Sequence, residues 1–183
     1  LPIYFYGHGV FSADGGVLFT TENDYENGRG MIGVWDAAGG FSRLGAIPSG
    51  GVGPHELRLM PDGGTLVIAN GGIETHPDAG RQKLNIPFMR PNLSYVSFDG
   101  ALVDQVEPPE DWHKNSMRHI AVNGDGLVAI PCQWQGAMTE VPPLLATHRL
   151  GEKLEFHALG PRAEAELQGY LGSVAFSGGG DEI

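Results

Sequence analysis

The sequence predicts an all-β fold: a partial β-propeller of three four-stranded blades plus the start of a fourth, forming one domain over residues 1–183. Three observations lead there. A hairpin-shaped segment recurs four times, its turns carry Asp-Gly or Gly-Gly, and evidence for helix is poor almost everywhere. The 29 glycines and 13 prolines among 183 residues make turn formers about twice as dense as in an average chain. A hydrophobic share of 41% still fills a core, which excludes wholesale disorder.

The first hairpin covers residues 8–20 and turns at Asp14-Gly15-Gly16. The second covers 56–68 with Asp62-Gly63-Gly64, and the third 119–130 with Asp125-Gly126. The fourth begins at Ser173-Val174-Ala175-Phe176 and reaches Ser177-Gly178-Gly179, without the turn aspartate. Asp-Gly tolerates the positive φ that matches a turn to the twist of its strands. Short runs of Val, Ile, Leu and Phe read as strands buried on both faces. The starts at 8, 56, 119 and 173 lie 48, 63 and 54 residues apart. A blade needs about 40–50 residues, so insertions are placed at residues 71–92 and 133–142.

The rest of each interval supplies two more strands. Blade one continues with residues 30–36, a turn at 37–40 and 41–47; blade two with 93–100 and 101–106; blade three with 143–149 and 153–159. The blades then span approximately 5–52, 53–110, 115–162 and a truncated 168–183. Only residues 161–170, rich in Ala and Glu, suit a short helix. Three blades and a beginning do not close a ring, so the chain reads as a piece of a larger propeller. Both ends look like cuts: Leu1 replaces an initiator Met, and the strand-like residues 173–176 stop soon after their turn. An open sandwich of the same hairpins is the alternative.

The net charge of −11 repels phosphate backbones and anionic surfaces, which excludes general nucleic-acid binding. No apolar stretch approaches the roughly 18 residues of a membrane span, so membrane insertion is excluded as well. A single cysteine, Cys132, rules out an internal disulfide and any Cys-rich metal site, and is expected to be an inert structural thiol. No nucleophile elbow, P-loop, dinucleotide fingerprint or zinc-peptidase motif is present.

Chemistry is therefore sought where a propeller puts its channel, along the first strand of each blade. Six residues before the turn aspartates stand His8, Glu56 and His119, with Ser173 in the matching place. Two imidazoles and a carboxylate make a workable divalent-metal set. The alternative is that these groups bond only water and neighbouring backbone. One position earlier stand Gly7, His55, Arg118 and Gly172, which strand alternation assigns to the opposite face or another depth. His55 and Arg118 are expected to be inter-blade hydrogen-bond partners. Glu22 with Asn23, Asn70 and Gln133 follow the second strands, where loops carry binding residues; Glu22, Asn70 and Gln133 are candidates to ring a pocket, against plain turn formation. In the long insertion, His76 and Arg81 are candidates, against a simple His-Pro turn.

Several of these segments resemble a known family. They are Tyr6-Gly7-His8-Gly9-Val10-Phe11-Ser12, Thr21-Glu22-Asn23-Asp24-Tyr25 with Gly28-Arg29-Gly30, Gly53-Pro54-His55-Glu56-Leu57, and Ala69-Asn70-Gly71-Gly72-Ile73 with Thr75-His76-Pro77. Gly80-Arg81, Lys83-Leu84-Asn85, Arg118-His119 and Cys132-Gln133 with Gln135-Gly136 continue the likeness to the chain's end. Together they are similar to the bacterial domain-of-unknown-function family 1513. The resemblance implies a seven-bladed propeller of YVTN-repeat and quinoprotein-like type, near 350 residues in full length, exported to the periplasm by a twin-arginine signal. It also implies a setting beside imelysin-type and di-haem peroxidase-like proteins, hence iron or metal handling. The reading that results is a non-enzymatic exported scaffold with a ligand or protein-partner site at its channel mouth, linked to metal uptake, with a divalent metal as the candidate cofactor. The alternative is an enzyme or enzyme subunit: a metal-dependent lactonase-like hydrolase, or a docking subunit of a haem-containing oxidoreductase.

Overall fold

Hairpin turns and buried apolar strands determine the architecture directly. The computed structural model describes residues 3–80, 82–180 and 182–183. Three antiparallel sheets follow one another along the chain. Blade one holds β1 (Tyr4–Phe11), β2 (Val17–Asp24), β3 (Arg29–Asp36) and β4 (Ser42–Pro48). Blade two holds β5 (Pro54–Leu59), β6 (Thr65–Asn70), β7 (Asn92–Ser97) and β8 (Leu102–Val106). In blade three the first strand is split into β9 (Asn115–Met117) and β10 (Ala121–Val122), both paired with β11 (Val128–Trp134). β12 (Leu145–His148) and β13 (Glu155–His157) complete it. Each sheet is a meander in sequence order. A short helix, α1 (Pro161–Leu167), follows where the Ala/Glu run places it.

The expected turns close the hairpins. Ser12 N–H donates to the Val17 carbonyl and Met60 N–H to the Thr65 carbonyl, each at 2.8 Å. The Asp62 carboxylate accepts from Gly64 N–H at 2.9 Å, and Gly63 between them sits at φ +72°, where a side chain is disfavoured. Asn123 takes over the acceptor role in blade three, from Asp125 and Leu127 N–H.

β6 shows why its strand reads as continuously apolar. Leu66 and Ile68 point towards blade one, packing with Phe19, Ile32, Leu57 and Val96. Val67 and Ala69 point the other way, into a cluster with Tyr95, Met117, Val128 and Ile130. One central blade thus feeds two inter-blade cores, and alternation puts every second side chain in each.

Residues 173–176, read as the first strand of blade four, carry no ladder. The chain there is tied to blade three at Tyr170 with Gln133, through Trp134 N–H to the Gly169 carbonyl and Leu171 N–H to the Cys132 carbonyl, and through the Asn123 side-chain amide to the Gly180 carbonyl. It then passes the inner strands, lining with Val10, Arg58 and Ile120 an open cavity of about 700 Å3.

Candidate functional site

All three inner strands leave their ladders at the same depth. In β1, Tyr6, Gly7 and His8 lie between the paired residues Phe5 and Gly9 and face only Thr21. Gly7 at φ +149° takes a backbone that other residues rarely adopt. The Thr21 hydroxyl staples this bulge, accepting from His8 N–H at 3.1 Å and donating to the His8 carbonyl at 3.2 Å. In β5, Pro54 pairs with Asn70 and Glu56 with Ala69, so His55 is the extra residue of a β-bulge. In blade three, residues 118–120 break the strand between β9 and β10. They stand opposite the stretch of β11 that contains Pro131, which has no N–H to give a ladder.

Bulges re-aim side chains, and here they bring three imidazoles together. The ring centroids lie 5.4 Å apart for His8 and His55, 5.2 Å for His8 and His119, and 4.7 Å for His55 and His119. One nitrogen from each ring lies within 4.8 Å of the other two. His55 Nδ1 is buried and has no hydrogen-bond partner among the described residues. Burial lowers the His55 pKa to about 3, helped by the charges of Arg118, His119 and His8; only a hydrogen bond with the Arg118 backbone opposes this. His55 is therefore a neutral imidazole with an uncommitted nitrogen.

Glu56 is the other half of the arrangement. Its buried carboxylate accepts from His119 Nδ1–H at 2.9 Å and from Ile120 N–H at 3.1 Å, and pairs with Arg58 at 2.5 Å. His8 Nδ1 stands 3.9 Å from its second oxygen. The sequence grouped His8, Glu56 and His119 as donors and set His55 on another face. In the structure the third imidazole is His55, and Glu56 stands behind His119 with both oxygens engaged. The alternation argument fails because the bulge at His55 adds a residue. Gly53-Pro54 before His55 and Pro131 opposite the blade-three break were the available signals.

Arg118 directly precedes His119 and hydrogen-bonds His55 across the two blades through its backbone, while its half-buried guanidinium makes no hydrogen bond or ion pair with any described residue. Glu22 and Asn70 do not open onto a shared pocket. The Glu22 carboxylate takes two hydrogen bonds from Arg43, at 2.8 and 2.6 Å, and one from Thr20. The Asn70 amide is fully buried and bonded to Ser49, Asn92 and Ser94. Gln133 pairs with Ser116 in the ladder and bridges to Tyr170. Asn23 and His76 line one small cavity beside the long insertion. His76 also caps the turn Pro77–Ala79 by accepting from Asp78 N–H at 3.2 Å. Arg81 lies outside the described residues. Cys132 is fully buried, and burial pushes its thiol up to about 12, as an inert structural cysteine requires.

The family described as "Protein of unknown function (DUF1513)" matches residues 3–183. The chain belongs to the DUF1513 family. No curated protein matches it. Among solved structures, this DUF1513 chain is similar to Kuenenia stuttgartiensis hydrazine synthase, with a TM-score of 0.53 and 19% identity over 75% of this chain and 36% of that one. It is also similar to a eukaryotic initiation factor, with a TM-score of 0.50 and 11% identity over 85% of this chain and 31% of that one. A prolyl endopeptidase matches at a TM-score of 0.50 and 15% identity over 84% of this chain and 22% of that one. The DUF1513 chain thus spans about a third or less of the structures it matches, and the likeness is one of fold: a partial propeller. Among the described residues, no helix is long and apolar enough to cross a membrane.

Proposed function

We propose that this DUF1513 chain is the metal-binding part of an exported, non-enzymatic propeller scaffold. It holds one divalent transition-metal ion on His8, His55 and His119 and serves metal uptake in the periplasm. The observation that carries the reading is the convergence of three imidazole nitrogens within 4.8 Å of one another. Ligand nitrogens at about 2.0–2.1 Å from a tetrahedral ion are themselves about 3.4 Å apart, so binding draws the rings inward by no more than about 1.5 Å. The donor chemistry fits: His55 is neutral with a free buried nitrogen, and Glu56 holds His119 by Nδ1, leaving Nε2 to face a cation. A carboxylate behind a ligating histidine fixes its orientation and raises its basicity. Imidazole sets suit zinc, copper, nickel and iron.

Copper(II) electron paramagnetic resonance tests the donor set. The expected spectrum has splitting from coordinated imidazole nitrogens, and it changes in His8→Ala and His119→Ala. A spectrum of aqueous copper, unaltered by added protein, contradicts the proposal.

A further inference from the structure

Three imidazoles leave a bound ion with neither a fourth donor nor an anionic one. Imidazole ligates a metal as a neutral ring, so both charges of a divalent ion stay uncompensated. Among the described residues, no carboxylate or thiol joins His8, His55 and His119 in the group of ligand atoms within 4.8 Å of one another. The Glu56 carboxylate stands behind the rings and is already engaged. Its Oε1 pairs with Arg58 at 2.5 Å, and its Oε2 accepts from His119 Nδ1–H at 2.9 Å and from Ile120 N–H at 3.1 Å. The charge of Arg58 thus offsets that of Glu56.

Arg118 adds a further cation at the same place. It lies in the break between β9 and β10, directly before His119, and hydrogen-bonds His55 through its backbone. Its half-buried guanidinium bonds no described residue, yet its charge acts on His55 more strongly than that of His119 or His8. A guanidinium carries its N–H donors in a planar fork that matches a carboxylate. An acid at this position would serve a bare cation; an arginine serves an anion that arrives with it. The cluster is also open to such a ligand, because the His8 and His119 side chains are 36% and 27% exposed. Metal sites with three protein ligands keep a fourth position for a molecule from outside.

We propose that the fourth position takes a carboxylate held by Arg118, so that the chain binds a metal–carboxylate complex rather than a bare ion. The carboxylate belongs either to a free small acid or to the chelator that delivers the ion. This assignment rests on the three-imidazole metal site and gives that site a ligand class.

Cobalt(II) loaded on the full chain tests both steps by visible absorption, since its bands follow the number and kind of its donors. Cobalt alone should give bands that are lost in His55→Ala. Acetate and malonate should then shift those bands saturably, and acetamide, the uncharged isostere of acetate, should not. Once loaded with cobalt, Arg118→Gln should bind acetate about tenfold more weakly than the wild type, and Arg118→Lys should recover part of that affinity. Tighter binding of malonate than of acetate assigns the chelator as the source; equal binding assigns the free acid. If cobalt binds and neither anion shifts its bands, the carboxylate proposal is overturned while the metal site stands. Equal acetate affinity in the wild type and both Arg118 variants overturns it in the same way. If cobalt gives no bands that depend on His55, the metal site itself fails, and the carboxylate proposal with it.

Discussion

Arg43 reaches across blade one to a carboxylate that has almost no contact with water. The Glu22 side chain is 2% exposed and depends on two guanidinium bonds, while Arg43 also lies 4.9 Å above the Trp35 ring. Removing the cation leaves a buried charge unpaired, which costs about 3 kcal/mol. Arg43→Ala should therefore lower the urea-unfolding free energy by roughly that amount. A change under about 0.5 kcal/mol would mean that water reaches Glu22. A second buried pair joins blades two and three: the Tyr95 hydroxyl donates to His148 Nδ1 at 2.7 Å, and His148 Nε2–H donates to the Glu152 carbonyl at 3.0 Å. Burial, then the charge of Asp104, raises the Tyr95 pKa well above its ordinary value. The unfolded chain releases this proton near pH 10 while the folded chain keeps it. The stability it contributes is thus complete below about pH 10 and declines as the pH rises towards the folded value. Urea midpoints measured at pH 8 and 10.5 should show this loss in the wild type and a smaller one in Tyr95→Phe.

At the scale of elements, the same interruption in β1, β5 and the β9–β10 strand converts three separate hairpins into one site. Much of this was legible in the sequence. The turn aspartates located the hairpins, the runs of Val, Ile and Leu located the buried strands, and the register from the turns led to His8, Glu56 and His119. His55 was not legible as a partner of His8, because a bulge shifts by one residue the two-residue alternation that an unbroken strand follows. Nor was the engagement of Glu22 and Asn70, since their partners Arg43 and Ser49 are 21 residues away in the chain. The element-level division of labour has its own consequence. Glu56→Gln keeps the shape of the side chain but weakens the hold on His119 Nδ1, so metal affinity should fall by about 10–100-fold, with the far-ultraviolet circular dichroism unchanged. Unaltered affinity would show that His119 is oriented by its backbone alone.

On the scale of the whole molecule, three blades place two inter-blade cores and one ring of imidazoles on a chain with a net charge of −11. Such a field concentrates cations near the surface. The positively charged Arg58 and Arg118 lie at the imidazoles themselves, so selectivity for a cation there must come from coordination. Calorimetric titration of zinc and copper into the wild type, His55→Ala and Asp62→Ala, the last at the β5–β6 turn, tests whether the three imidazoles hold a metal ion. One equivalent should bind to the wild type and to Asp62→Ala, and binding should be lost or weakened at least tenfold in His55→Ala. Failure of the wild type to bind either ion, or identical affinity in His55→Ala, would contradict the assignment of the three imidazoles as a metal site.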